Sequence, residues 1–217
     1  MTTLVRHPRF ISLEGGEGAG KTTVLGALRA ALQADGCDVV STREPGGTPL
    51  AERIRGLLLA VDAAAQETLA PETELLLMFA ARVQHVREII LPALERGAWV
   101  ITDRFTDSSF AYQGGGRGLS AQLIGELERS VVGLQPALTL LLDVGVDEGR
   151  QRARGRDSSP DRIERERDDF FDRVRTTFLA RAAADPQRFR VIDASRQAEL
   201  VAADAVAQLR AWCGTSQ

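Results

Sequence analysis

The stretch Phe10 to Val24, FISLEGGEGAGKTTV, limits what this chain can fold into more than any other. A short apolar run predicts a buried strand, a glycine-rich turn follows, and a lysine with two threonines opens a helix. Gly15, four intervening residues, Gly20, Lys21 and Thr22 match the phosphate-binding loop. In that loop, glycines let backbone N–H groups curl around an anion that side chains would otherwise crowd. Gly16, Glu17, Gly18, Ala19 and Thr23 complete the cradle, and the following helix aims its positive end at the same anion. Lys21 supplies a point charge for a phosphoryl group, and the Thr22 hydroxyl is placed to ligate Mg²⁺. Lys21 is also the only lysine in 217 residues; every other one of the 27 basic side chains is arginine. A compact ammonium is therefore needed where a guanidinium will not serve.

The glycines do not fit a dinucleotide site. After Gly16 and Gly18, the third glycine of G-x-G-x-x-G falls at Lys21. A GTPase switch, which reads guanine through Asn-Lys-x-Asp, is disfavoured because no second lysine exists. The 27 basic and 30 acidic residues leave a formal charge of -3, which argues against nucleic-acid polymers and anionic membranes as partners. Cys37 and Cys213 form no CxxC pair, and His7 and His85 add no metal cluster, so free thiols in a reducing compartment are expected. No apolar run approaches a membrane span, and the expected location is cytoplasmic.

Strands and helices alternate along the chain, the signature of a mainly parallel α/β sheet covered on both faces. Predicted strands are the run before the loop, Asp38 to Thr42, Ala98 to Thr102, Leu138 to Val144 and Phe189 to Ile192. The expectation is a three-layer, five-stranded parallel sheet of the phosphate-loop NTPase type, in one domain over residues 1–217. Helices are expected over Lys21 to Ala34, Ala51 to Val61, from Pro71 until Pro92 interrupts it, Leu119 to Val132, Arg162 to Ala184 and Gln197 to Trp212. Arg43 to Thr48 and Asp103-Arg104-Phe105 follow strands at the carboxyl edge, where open α/β sheets place ligands. Arg82 lies one turn beyond Met78, a position where arginine ordinarily snorkels. Ser108 to Gly118, SSFAYQGGGRG, reads as a flexible segment able to wrap a ligand, and Arg150 to Arg156, RQRARGR, as a hinged basic arm.

EGGEGAGKTT at Glu14 to Thr23, TREPGGT at Thr42 to Thr48, the helix ending at Arg82, DRF at Asp103 to Phe105, AYQGGGRG at Ala111 to Gly118, and the arm with Asp161-Arg162-Ile163-Glu164 are similar to the bacterial thymidylate kinases. The resemblance spans nearly the whole chain. It implies ATP and Mg²⁺ as cofactors, thymidine monophosphate (dTMP) as acceptor, a nucleoside-monophosphate-kinase fold with a lid at about 150–162, and a homodimer. The alternative is another phosphate-loop nucleoside monophosphate or small-metabolite kinase. By resemblance Lys21, Thr22 and Asp103 serve phosphates and metal, Glu17 lies near the sugar 3′-hydroxyl, and Arg104 holds the acceptor phosphate. Pro45, Arg82, Ser109 and Gln113 face the acceptor, with Tyr112 under the deoxyribose. The base-stacking phenylalanine is replaced by Met78, with Phe79 beside it, and the sequence leaves open which covers the base. Gly18 gives the loop no arginine, so Arg156, supported by Arg154, is expected to act on the transferring phosphate, with Arg152 serving packing or solubility. Asp193 to Arg196 would approach the donor base.

Overall fold

A computed structural model describes residues 4–61, 68–155 and 161–215. Five strands form one sheet in the order β2-β3-β1-β4-β5. They are β1 (Val5–Gly15), β2 (Val39–Arg43), β3 (Trp99–Asp103), β4 (Leu134–Asp143) and β5 (Phe189–Asp193). All pairs are parallel, with β1 between β3 (Phe10 opposite Val100) and β4 (Ile11 opposite Leu138). The central strand is buried without interruption from Phe10 to Gly15, as a strand covered on both faces must be.

Period-two alternation sends Ile11 and Leu13 to one face, against Val24, Leu28 and Leu32 of α1 (Lys21–Ala34) and Val201, Ala205 and Leu209 of α9 (Ala198–Thr215). Phe10 points the other way, toward Leu75 and Phe79 of α3 (Pro71–His85). Phe170, Val174 and Phe178 of α8 (Asp168–Ala184) cover Leu141 of β4 on a third cluster. Each fully buried Leu or Phe contributes about 1.5–3 kcal/mol.

Pro92 does not interrupt its helix. The chain runs on from α3 through a π-helical turn, Val86–Ile90, into α4 (Leu91–Glu95). The wider turn moves the Leu91 N–H onto the Val86 carbonyl, and the missing N–H of Pro92 is absorbed without a break.

The glycine-rich segment is not a flexible wrap either. Thr106–Ser109 is a short helix, α5, continued as a π-helix over Phe110–Gly116. Its glycines permit close approach: a Cβ on Gly115 would lie 2.1 Å from Thr177 Oγ1, and one on Gly116 2.4 Å from the Phe170 ring. At Arg162 the expected helix is delayed to Asp168, because Asp161 Oδ1 accepts from Ile163 N at 2.8 Å and Glu164 N at 2.9 Å and closes a turn first. The remaining helices are α2 (Pro49–Leu59), α6 (Ala121–Leu127), which runs on as a π-helix over Glu128–Val132, and α7 (Val146–Arg154).

Candidate active site

A cleft of about 240 Å³ opens at the carboxyl edge of the sheet, lined from one end by Glu17 to Thr22 and from the other by Glu44, Pro45, Met78, Arg82, Ser109 and Gln113. The loop keeps its shape through left-handed Gly18 (φ 70°) and Gly20 (φ 87°). Lys21 is nearly buried, and its Nζ donates to the carbonyls of Gly16 at 2.9 Å and Gly15 at 3.3 Å. Burial and the nearby Arg104 charge lower the ammonium pKa, while Asp103 and Glu17 pull it back up.

Arg104 is the one non-glycine residue with left-handed backbone among the described residues, at φ 71°. Such a conformation persists only where neighbours over-determine it. Here Arg104 N donates to Leu13 O at 2.9 Å, Thr102 Oγ1 donates to Arg104 O at 2.9 Å, and the next N–H, Phe105, donates to buried Glu14 Oε1 at 2.8 Å. The turn swings the guanidinium back over the loop, where it donates to Gly15 O at 3.0 Å and Glu17 Oε1 at 2.9 Å and lies over the Tyr112 ring at 4.9 Å. Tyr112 Oη donates to the same Glu17 oxygen at 3.2 Å. The arginine at the strand end therefore faces the loop, as its position in the sequence requires.

Arg82 does not snorkel. It is 3 % exposed and donates to Glu44 Oε2 at 2.6 Å, Ser109 Oγ at 2.9 Å and Phe105 O at 3.1 Å. His85 backs this group, its Nδ1 3.0 Å from Glu44 Oε1 and its Nε2 2.6 Å from Thr42 Oγ1. Met78 lines the cleft; Phe79 does not, and packs in the core beneath Arg82. Of the two side chains the sequence leaves open, Met78 alone borders the cleft among the described residues.

Sequence reasoning missed three groups. Arg55 on α2 lines the cleft with Arg43 and donates to Pro45 O at 3.0 Å. Glu14 is buried under the loop, and burial with the nearby Asp107 charge pushes its pKa up to about 8. Glu74 is buried against Gln113. No motif marks Arg55 or Glu74; Glu14 opens the EGGEGAGKTT segment and is a charge inside an apolar strand, but neither signal gave it a role.

On the basic arm, Arg150 pairs with Asp168 and donates to Glu166 O at 2.9 Å, while Arg152 pairs with Glu148 and donates to Ala194 O at 2.7 Å and Ser195 O at 3.0 Å. Both are structural anchors. Arg154 is exposed in the last turn of α7 and borders a second cavity of about 250 Å³ with Glu17 and Glu164. Arg156 and the Ser158 to Pro160 hinge lie outside the described residues. A Cβ on Gly18 would stand 1.9 Å from the Gly149 carbonyl of α7, so the loop and the arm's helix meet backbone to backbone.

The thymidylate kinase family model matches residues 13–205. The chain belongs to the thymidylate kinase family. It is 58% identical over 202 residues to the thymidylate kinase of Chromohalobacter salexigens, covering 93% of this chain and 94% of the relative. The identity with that of Alkalilimnicola ehrlichii is 56% over 194 residues, 89% and 88% of the two chains. The crystal structure of thymidylate kinase from Ehrlichia chaffeensis superposes with a TM-score of 0.72 at 35% identity, covering 93% of this chain and 97% of that one. The family uses ATP, in accord with the loop. Among the described residues no three His, Cys, Asp or Glu side chains converge as a metal cage. Asp103 Oδ1, however, is buried without a hydrogen-bond partner among the described residues and borders the cleft with Thr22. One carboxylate and one hydroxyl, completed by phosphate oxygens and water, is a donor set that fits Mg²⁺.

Proposed function

We propose that this chain transfers the γ-phosphoryl group of ATP to dTMP in line and without a general base. Family membership makes the reaction the phosphorylation of dTMP to dTDP. The residue assignments rest on one observation: a single cleft carries the loop lysine at one end and a buried arginine, serine and glutamine at the other.

A phosphate monoester has a second pKa of about 6, so its oxygen attacks unaided near neutral pH. What the site must supply is alignment and neutralisation of two repelling phosphates. Lys21, released from the Gly15 and Gly16 carbonyls, moves onto the donor phosphates with the backbone of Gly15 to Thr23. Arg104 holds the acceptor phosphate, supported by Arg55, and Glu17 fixes Arg104 and Tyr112 around the sugar. Arg82, Ser109 and Gln113 orient the base against Met78. Thr22 and Asp103 would hold Mg²⁺, which when bound shields charge between the phosphates. Arg154 and Arg156 add charge from the arm.

A domain spanning 1–217 with its lid at about 150–162, a homodimer and a cytoplasmic location complete the proposal. Among the described residues no helix is long and apolar enough to cross a membrane. Light scattering on the purified protein checks the dimer.

An ADP-release assay with a panel of nucleoside monophosphates tests the acceptor. dTMP should lead, with deoxyuridine monophosphate used more weakly by about 1–3 kcal/mol for the missing methyl. Guanosine or cytidine monophosphate as best acceptor would refute it.

A further inference from the structure

Glu74 stands in the first turn of α3 and is 1 % exposed. Its Oε1 accepts from Gln113 Nε2 at 2.8 Å, and its Oε2 accepts from Arg162 Nη2 at 2.7 Å and Arg117 Nε at 3.2 Å. Burial alone would push the carboxyl pKa up; the Gln113 hydrogen bond and the charges of Arg117 and Arg162 outweigh that and hold it below the ordinary value. Glu74 is therefore ionised at neutral pH, with no proton to offer. A glutamine amide is a donor at one end and an acceptor at the other, and a partner that only accepts dictates which end it meets. Turned over, Gln113 would set its carbonyl against a carboxylate. The NH₂ is thus committed to Glu74, and the carbonyl branch of Gln113 is turned away from it, in a side chain that lines the cleft.

We infer that Glu74 is a specificity-determining positioning residue that fixes the polarity of Gln113, so that the cleft offers the base an acceptor oxygen. An acceptor there matches a pyrimidine-2,4-dione, whose pairing edge carries a ring N–H, and opposes cytosine, whose corresponding ring nitrogen is itself an acceptor. Glu74 does not line the cleft and acts on it through Gln113, which does. The inference rests on the reading of this end of the cleft as the base site.

Glu74→Gln supplies both a donor and an acceptor to Gln113 and frees it to turn. The ratio of kcat/KM for deoxycytidine monophosphate over dTMP is expected to rise about tenfold or more, the scale of one mismatched buried hydrogen bond. Glu74→Asp keeps an acceptor-only partner and should keep the wild-type ratio. A folded Glu74→Gln whose activity falls while the ratio stays within about twofold of wild type overturns the inference, since a merely structural role predicts that result. A second measurement needs no variant. In the free wild-type enzyme the Gln113 side-chain N–H, followed by ¹⁵N NMR, should exchange slowly with solvent and change little when dTMP is added. Protection that appears only with dTMP would mean that the amide donates to the base, and the inference would fail. Read in the free enzyme, this exchange reports the amide polarity whichever monophosphate proves the best acceptor.

Discussion

Glu14 sits on the central strand, fully buried, and its two oxygens accept from Phe105 N at 2.8 Å and Ser108 Oγ at 2.6 Å. It thereby clamps the left-handed Arg104 turn from below. Its carboxyl ionises at 4.5 when the environment is removed and at about 8 in the fold. Between those values the folded chain holds a proton that the unfolded chain has lost. The stability from this group is fully present below the lower value and is lost as pH rises through the upper one. Glu14→Gln, neutral at all pH, should flatten the fall in melting temperature across that window; an unchanged profile would show that other groups set it. The identities at 17, 82, 104, 109, 112 and 113 were legible because each stood in a motif. Whether Met78 or Phe79 faced the cleft was not, because adjacent helical positions differ by about 100° in direction and the helix's rotation is set by packing on Phe10. Glu74 and Arg55 were invisible for a similar reason: a charge on a helix reads as solvated until its neighbours from distant sequence are known.

Among the elements, strand positions and helix periodicity followed from apolar spacing, while the departures lie at Pro92, at Gly114 to Gly116 and at the Asp161 turn that delays α8. Pro92 reads as an interruption and Gly114 to Gly116 as a flexible run, yet a π-helical turn carries the chain through the first and tight packing on α8 requires the second. The arm divides by the same kind of evidence. Arg152 spans from α7 to the turn after β5, and alanine there should lower thermal stability by up to about 1 kcal/mol, as half-exposed pairs do, with little change in turnover. Among the described residues Arg154 has no such anchor. Arg154→Ala should leave the melting temperature alone and cut kcat by about 10² or more if it assists the transferring charge, and Arg156→Ala by about 10³ to 10⁵. Turnover and ATP KM for the four alanine variants at 150, 152, 154 and 156 separate anchor from reagent. Collapse at 152 with normal turnover at 156 would reverse the assignment.

For the molecule as a whole, the ion cluster around Asp107 links parts that are far apart in the chain. Asp107 is fully buried on α5 and accepts from Arg181 Nε on α8 at 2.5 Å and from Arg188 Nη1 and Nη2 at 2.5 and 3.1 Å. Arg188 also donates to Thr139 Oγ1 of β4 at 2.8 Å. Asp107→Ala leaves Arg181 without this carboxylate and Arg188 with Asp185 as its other acid, and should cost about 3–5 kcal/mol, read as a lower denaturant midpoint. Asp107→Asn should in addition bring the Glu14 pKa down, because the Asp107 charge helps raise it; a pKa that stays put would assign the shift to desolvation alone.

Lys21 has a practical consequence at the same scale. It carries the chain's only ε-amine, and burial makes that amine easier to deprotonate than an exposed lysine's. An amine-selective acylating reagent thus has one side-chain amine to meet, and it lies on the phosphate loop. Labelling at Lys21 followed by mass spectrometry should track loss of turnover one for one and should slow when ATP is present. Labelling at an unchanged rate would mean that nucleotide does not cover the loop. Because the surface positive charge is all arginine, the same reagent counts competent active sites in any preparation.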